Sequence, residues 1–308
     1  MPRTMMGFAL MFTGPHQAGL AVLSIAVFAL SAVPLELQRR LINDLANRSG
    51  IQDVLRLALC YAGVALAEQL LKLGLNLYRA WVAETTVWRL RDRIGRIEPS
   101  KHTVSGEGVG VEIAMIVEEA EPIGGFTGIS LSEPLLQGGI LVSVIGYMFI
   151  LQPWLALLGL VFFVPQTIVV PLLQAAINRR AQARILVKRE VSSALADVSA
   201  GNSSTSVPDG ARRIFTLNMG IYWFKYVMNL VMNLMHHFSI AAALGVGGWM
   251  VFDGRIEVGT VVAVAAGLGK LNDPWGDLVN WAREFSVVSV KYRLFADAVI
   301  WLGEPVAA

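Results

Sequence analysis

Residues 134–178 read PLLQGGILVSVIGYMFILQPWLALLGLVFFVPQTIVVPLLQAAIN, 45 positions without a formal charge. A helix rises about 1.5 Å per residue and a bilayer's hydrocarbon core is about 30 Å thick, so this stretch holds roughly two crossings. Leu151-Gln152-Pro153 divides it, because proline lacks the amide proton a helix interior needs. Inside hydrocarbon every backbone amide must be paired within its own segment, so the crossings are helices. The stretch therefore predicts an all-α polytopic membrane protein.

Other spans follow on both sides. Ala18–Leu35 is uncharged and forms the first. Val54–Tyr78 is the second, interrupted by Arg56, Glu68 and Lys72. Met228–Phe252 is the fifth, with His236 and His237 inside it. Val258 to about Trp281 is the sixth, carrying Lys270, Asp273, Pro274 and Asp277. The whole chain agrees with six spans: 55% of its 308 residues are hydrophobic and 16% charged, against about 25% charged in soluble domains. Its mean hydropathy is +0.57. The organisation expected is an N-terminal segment 1–16, a six-helix domain 17–300 and a tail 301–308. Arg3, Pro15 and the lack of an A-x-A cleavage site predict that the N-terminus is retained.

A net charge of +2 argues against a nucleic-acid partner. The single cysteine, Cys60, excludes a disulfide framework within the chain or a thiolate metal cluster, and its apolar run predicts a buried position. Lys and Arg concentrate on the cytoplasmic side of membrane proteins. Residues 88–132 hold five such cations and residues 179–225 hold eight, whereas the turn after the third span has none. Both long connections and both termini are thus expected in the cytoplasm, with Arg39, Arg40 and Arg48 of the first connection as the exception. The long connections are patterned: Val111–Val117 and Arg180–Val198 read as helix. Helices two to five are expected to leave the membrane and continue inward as paired rods.

This layout, together with a set of local motifs, resembles the transmembrane domain of ABC (ATP-binding cassette) exporters over roughly residues 17–300. The motifs are Val33-Pro34-Leu35 with Leu41-Ile42-Asn43-Asp44, then Val109-Gly110 with Ile113 and Glu118-Glu119. The fullest match is Asp253-Gly254-Arg255-Ile256-Glu257-Val258-Gly259-Thr260, the outer turn before helix six; Pro274 and Arg293-Leu294-Phe295 complete the set. Met115 stands where the family often has Arg. The resemblance implies six long helices, a substrate path between them, and short inner tips that dock on ATPase domains. By position the first tip falls within Lys101–Gly110, with Lys101 and Glu107 as contact candidates. The second falls within Asp209–Phe215, with Asp209, Arg212 and Phe215. The Ser/Asn-rich run 199–208 just before it favours turns over helix.

A P-loop needs G-x-x-x-x-G-K-[ST], whose amides and lysine cradle phosphates while the hydroxyl holds magnesium. The nearest string, Gly267-Leu268-Gly269-Lys270-Leu271, has Leu in place of the hydroxyl and lies in a span. This chain is therefore expected to bind no cofactor, with ATP and Mg on a separate nucleotide-binding ATPase subunit.

Ionisable groups inside a span are costly and face a cavity or a partner. Glu68 and Lys72 are one helical turn apart; they either line the substrate path or pair to fix helix packing. Lys270, Asp273 and Asp277 make one stripe on helix six, facing a path or merely solvated at the inner interface. Asn229 and Asn233, flanked by Met228, Met232 and Met235, fit a path for varied apolar ligands or hydrogen bonding between helices. Adjacent His236 and His237 point about 100° apart and suit no shared metal. No catalytic constellation stands out.

Three readings follow. The first is the membrane subunit of an ATP-driven exporter in the plasma (inner) membrane, dimeric with a second half-transporter. The second is an ATPase-free scaffold or chaperone that keeps the exporter fold. The third, an unrelated secondary transporter or membrane enzyme, would lack the long inner arms.

Overall fold

The computed structural model describes residues 2, 4–95, 118, 120–199 and 206–301. Within these the chain is helical: α1 Met5–Ser31, α2 Val33–Ala46, α3 Ile51–Gly95, α4 120–129, α5 Ser132–Leu151, α6 Pro153–Ser199, α7 Ser206–Phe252, α8 Val258–Gly269 and α9 Asn272–Trp301. Five stretches are long and apolar enough to cross a membrane: Met5–Ala46, Ile51–Arg93, Ala120–Leu151, Pro153–Lys188 and Pro208–Phe252. The chain is a multi-pass membrane protein. The expected break at Leu151-Gln152-Pro153 is where α5 ends and α6 begins.

Three differences from the expected spans have physical causes. The first helix starts at Met5 rather than near Ala18, and Pro15 is absorbed by a local departure from helical geometry at Thr13 (φ −127°, ψ 18°). Cys60 is exposed rather than buried. The first half of α3 packs few side chains within the chain, and Leu55, Leu59 and Leu66 beside Cys60 are exposed too. In a bilayer an apolar surface needs no protein cover, so a hydrophobic run does not signal burial. The sixth span is not one helix: it stops at Gly269 and restarts at Asn272. Pro274 has no N–H for the Lys270 carbonyl, and Gly269 lowers helix propensity beside it.

The chain divides into two compact units, residues 1–151 with 257–308 and residues 152–256. In the first, α1 packs on α3 and α5, α2 on α3 and α8, and α5 on α9. Its largest buried cluster joins Met5, Phe8, Leu90, Ala120, Ile123, Phe126, Val288, Tyr292, Phe295 and Ala296. All ten lie outside the sequence-predicted spans. Between helices in lipid there is no hydrophobic driving force, whereas in water burying such side chains is the main one. This core joins the start of α1, the end of α3, α4 and the second half of α9. Here α3 and α4 run close together. A Cβ at Gly128 would meet the Arg79 carbonyl oxygen, so only glycine admits this approach.

The second unit is the pair α6 and α7. Arg184 Nη1 donates to Asn218 Oδ1 (3.1 Å), Arg180 stacks over Phe224, and Ser239 Oγ donates to the Gly159 carbonyl (2.7 Å). As α6 numbers fall α7 numbers rise, so the two helices are antiparallel over ~45 Å, from Glu190 to Gly159. Met228, Met232 and Met235 are half-buried in this unit. At 47 residues each helix spans about 70 Å, more than twice the hydrocarbon thickness. The expected helix over Arg180–Val198 is present as the end of α6.

Candidate functional site

Two polar features organise the first unit. The first joins motifs that are 210 residues apart in the chain. Asn43 on α2 accepts a hydrogen bond through Oδ1 from the backbone N–H of Gly259 (2.7 Å), and its Nδ2 donates to the Glu257 carboxylate. Glu257 is the N-cap position of α8 but makes no side-chain capping bond of its own, so Asn43 satisfies one of that helix's free amides from another helix. A Cβ on Gly259 would collide with the Arg39 carbonyl oxygen and the Asn43 side chain. Beside this latch, Glu36 pairs with Arg39 (2.8 Å) and Arg40 (2.6 Å) and accepts from the Tyr147 hydroxyl (2.8 Å). Arg39 also reaches Glu257 (3.4 Å), so two of the three cations that break the charge trend of the connections have carboxylate partners within the chain.

The second feature is a cavity of about 620 Å³ bounded by α3, α5, the end of α1 and the α8–α9 break. Its lining runs from Tyr61 to Arg79 along α3, about 27 Å of helix rise. Seven of its eighteen lining residues are charged: Glu68, Lys72 and Arg79 from α3, Glu133 from α5, and Lys270, Asp273 and Asp277 at the break. Glu68 is only 5% exposed and pairs with Lys72 at 2.7 Å. Arg79, 8% exposed, donates to Glu133 (2.5 Å) and to Ser132 Oγ (2.8 Å). Gln137 continues the chain by donating to Glu133 (2.8 Å) and Asp277 (2.9 Å). Lys270 Nζ donates to the Ser31 carbonyl (3.1 Å). Where a spanning helix is broken, its free carbonyls and polar side chains are tolerated because they face such a cavity.

Four of the six path candidates, Glu68, Lys72, Lys270 and Asp273, line this one cavity. Glu68 and Lys72 are both an ion pair and part of its wall, so the two readings of the pair do not exclude each other. The helix-six stripe survives as a lining although the helix itself is interrupted between Lys270 and Asp273. Asn229 and Asn233 are exposed on α7 in the second unit. Of the tip candidates, Asp209, Arg212 and Phe215 lie exposed in the first turns of α7, and Asp209 and Arg212 line a groove with Glu190 and Arg213. Lys101 and Glu107 lie outside the described residues, as do Val109-Gly110, Ile113 and Glu119. Arg79, Glu133 and Gln137 were not singled out in the sequence. Arg79 sits one residue beyond the predicted second span and Glu133 one before the third, where charges read as ordinary flanking groups. Among the described residues no three His, Cys, Asp or Glu side chains gather as metal ligands.

The family described as "ABC transporter transmembrane region" matches residues 18–202, more than half of the chain. The match runs from the middle of α1 to the end of α6, including the Asn43 partner of the latch and the α3 and α5 walls of the cavity. A comparison with curated proteins found no match.

Proposed function

Since the chain belongs to the ABC transporter transmembrane-region family, we propose that it is the membrane subunit of an ATP-driven exporter, powered by a separate nucleotide-binding ATPase subunit that carries ATP and Mg. The observation that carries this reading is the length of the arms. α3, α6 and α7 are 45, 47 and 47 residues long, each well beyond what one crossing needs. Helices that need only hold a pore do not require about 40 Å of water-exposed extension. Rods of that length suit the delivery of motion from an ATPase to the membrane. The P-loop is missing from these 308 residues, so the hydrolytic site lies elsewhere. The charge distribution supports cytoplasmic termini.

The chain has five stretches long and apolar enough to cross a membrane and leaves rows of large apolar side chains uncovered on α3, among them Leu59, Leu66, Leu70 and Leu77. A second half-transporter, identical or related, covers part of that surface and completes the path. Substrate enters the charged cavity of the first unit, and the α8–α9 break is the joint that changes its shape between inward and outward states. Purification of the full-length chain from its own membranes tests the reading. A co-purifying ATPase whose turnover falls at least severalfold on Arg212→Glu is the expected result. A chain that comes away alone, with no nucleotide hydrolysis, would instead fit a scaffold that keeps the fold.

A further inference from the structure

The cavity lining has an order along α3. At one level lie Glu68, Lys72 and Lys270, one carboxylate and two ammonium groups, for a net charge of +1. Seven residues further along α3 lie Arg79, Glu133 and Asp277, one guanidinium and two carboxylates, for a net charge of −1. Gln137 ties the second tier together by donating to both of its carboxylates. From Lys72 to Arg79 the helix rises about 10 Å, which is the spacing of the tiers along the α3 wall. Asp273, exposed and one turn before Asp277, adds to the negative side. Within each tier one ion pair is closed by geometry, Glu68 with Lys72 and Arg79 with Glu133. That leaves Lys270 in the first tier, bonded to a backbone carbonyl, and Asp277 in the second, bonded to a neutral amide.

A further donor is unused. Arg79 Nη2 is buried and has no hydrogen-bond partner among the described residues, although Nη1 and Nε are both engaged. Buried guanidinium donors are normally satisfied, because leaving one open costs a large part of its hydration. An apolar cargo would strip water from the accessible charged groups of the lining and offer them no bond in return. The lining therefore selects against a purely hydrophobic ligand.

We propose that this cavity binds a short zwitterionic peptide with free ends, its carboxylate at Lys270 and its ammonium at Asp277. An extended chain advances about 3.3–3.6 Å per residue, so a tripeptide spans the ~10 Å between the tiers. The proposal rests on the transport reading for its biological meaning, but binding can be measured without any ATPase.

The test is calorimetry on the full chain in phosphatidylglycerol nanodiscs, with trialanine as the probe. Free trialanine should bind saturably. N-acetylation or C-amidation should each weaken it about tenfold or more, because each leaves one buried charge without its counterpart. Lys270→Met should abolish the discrimination against the amidated end only, and Asp277→Asn that against the acetylated end only. Equal binding of free and blocked peptides, or no saturable binding by a wild-type chain that still unfolds cooperatively, overturns the proposal. So does displacement of trialanine by phosphatidylethanolamine, whose ammonium and phosphate stand only a few bonds apart and cannot bridge the two tiers. The peptide arms need no variant, so a misfolded substitution cannot obscure the result. Failure to find an ATPase partner would overturn the exporter reading and leave this measurement standing.

Discussion

Replacing Asn43 should loosen the chain at the contact between α2 and α8. Asn43→Leu keeps the side chain's approximate volume and removes both hydrogen bonds. The Gly259 N–H is buried and would lose its acceptor, a loss of about 1–3 kcal/mol for an unsatisfied buried donor. The bond to Glu257 adds about 0.5–1 kcal/mol, towards the low end because that carboxylate is largely exposed and can turn to water. A total of about 1.5–4 kcal/mol corresponds to a melting temperature lowered by roughly 2–6 °C in a chain of this size. Thermal unfolding in detergent, followed by the fluorescence of the eight tryptophans, measures it. Asn43→Asp keeps the acceptor for Gly259 and loses the donor, placing a second carboxylate against Glu257. Its defect should shrink as the pH falls from about 7 to about 4, when one of the two acids takes up a proton and donates again. A leucine variant that melts within about 1 °C of the parent would refute the capping argument. An aspartate variant with the same defect at every pH would refute the donor assignment.

Gly128→Ala should destabilise by about 1–3 kcal/mol, because its Cβ meets a backbone oxygen that cannot swing away; Gly125→Ala, which meets nothing, should be nearly silent in the same melting assay. Burial of the Tyr292 ring, whose hydroxyl donates to the Pro2 carbonyl (2.7 Å), pushes its pKa up to about 12. The unfolded chain loses this proton near pH 10 and the folded chain does not, so stability should fall as pH rises from about 10 to about 12. Tyr292→Phe should remove that alkaline step while lowering stability by about 1 kcal/mol at neutral pH, as urea titrations at several pH values would show.

What could be read from residues alone was whatever depends on local composition and length. The 45 uncharged residues of 134–178 required two crossings whatever surrounded them, and Pro153 had to start a new helix because it cannot continue one. Arg180–Val198 had to be helix by propensity. Residues a helical turn apart, such as Glu68 and Lys72, could be paired on paper because backbone geometry makes them neighbours.

Burial and partnership across the chain were decided by tertiary structure. Cys60 lies in an apolar run and is exposed, since lipid removes the penalty that drives apolar side chains inward in water. Asn43 and Gly259 were each part of a motif, but only the packing of α2 on α8 brings the amide to the carbonyl oxygen. Arg79 and Glu133 read as flanking charges because each lies a residue outside a span. Their role as a cavity wall needs α3, α5 and the broken sixth helix in one place. Hydropathy and spacing are properties of neighbours along the chain. A charge's counterpart and a cavity's shape arise between segments that the sequence keeps far apart.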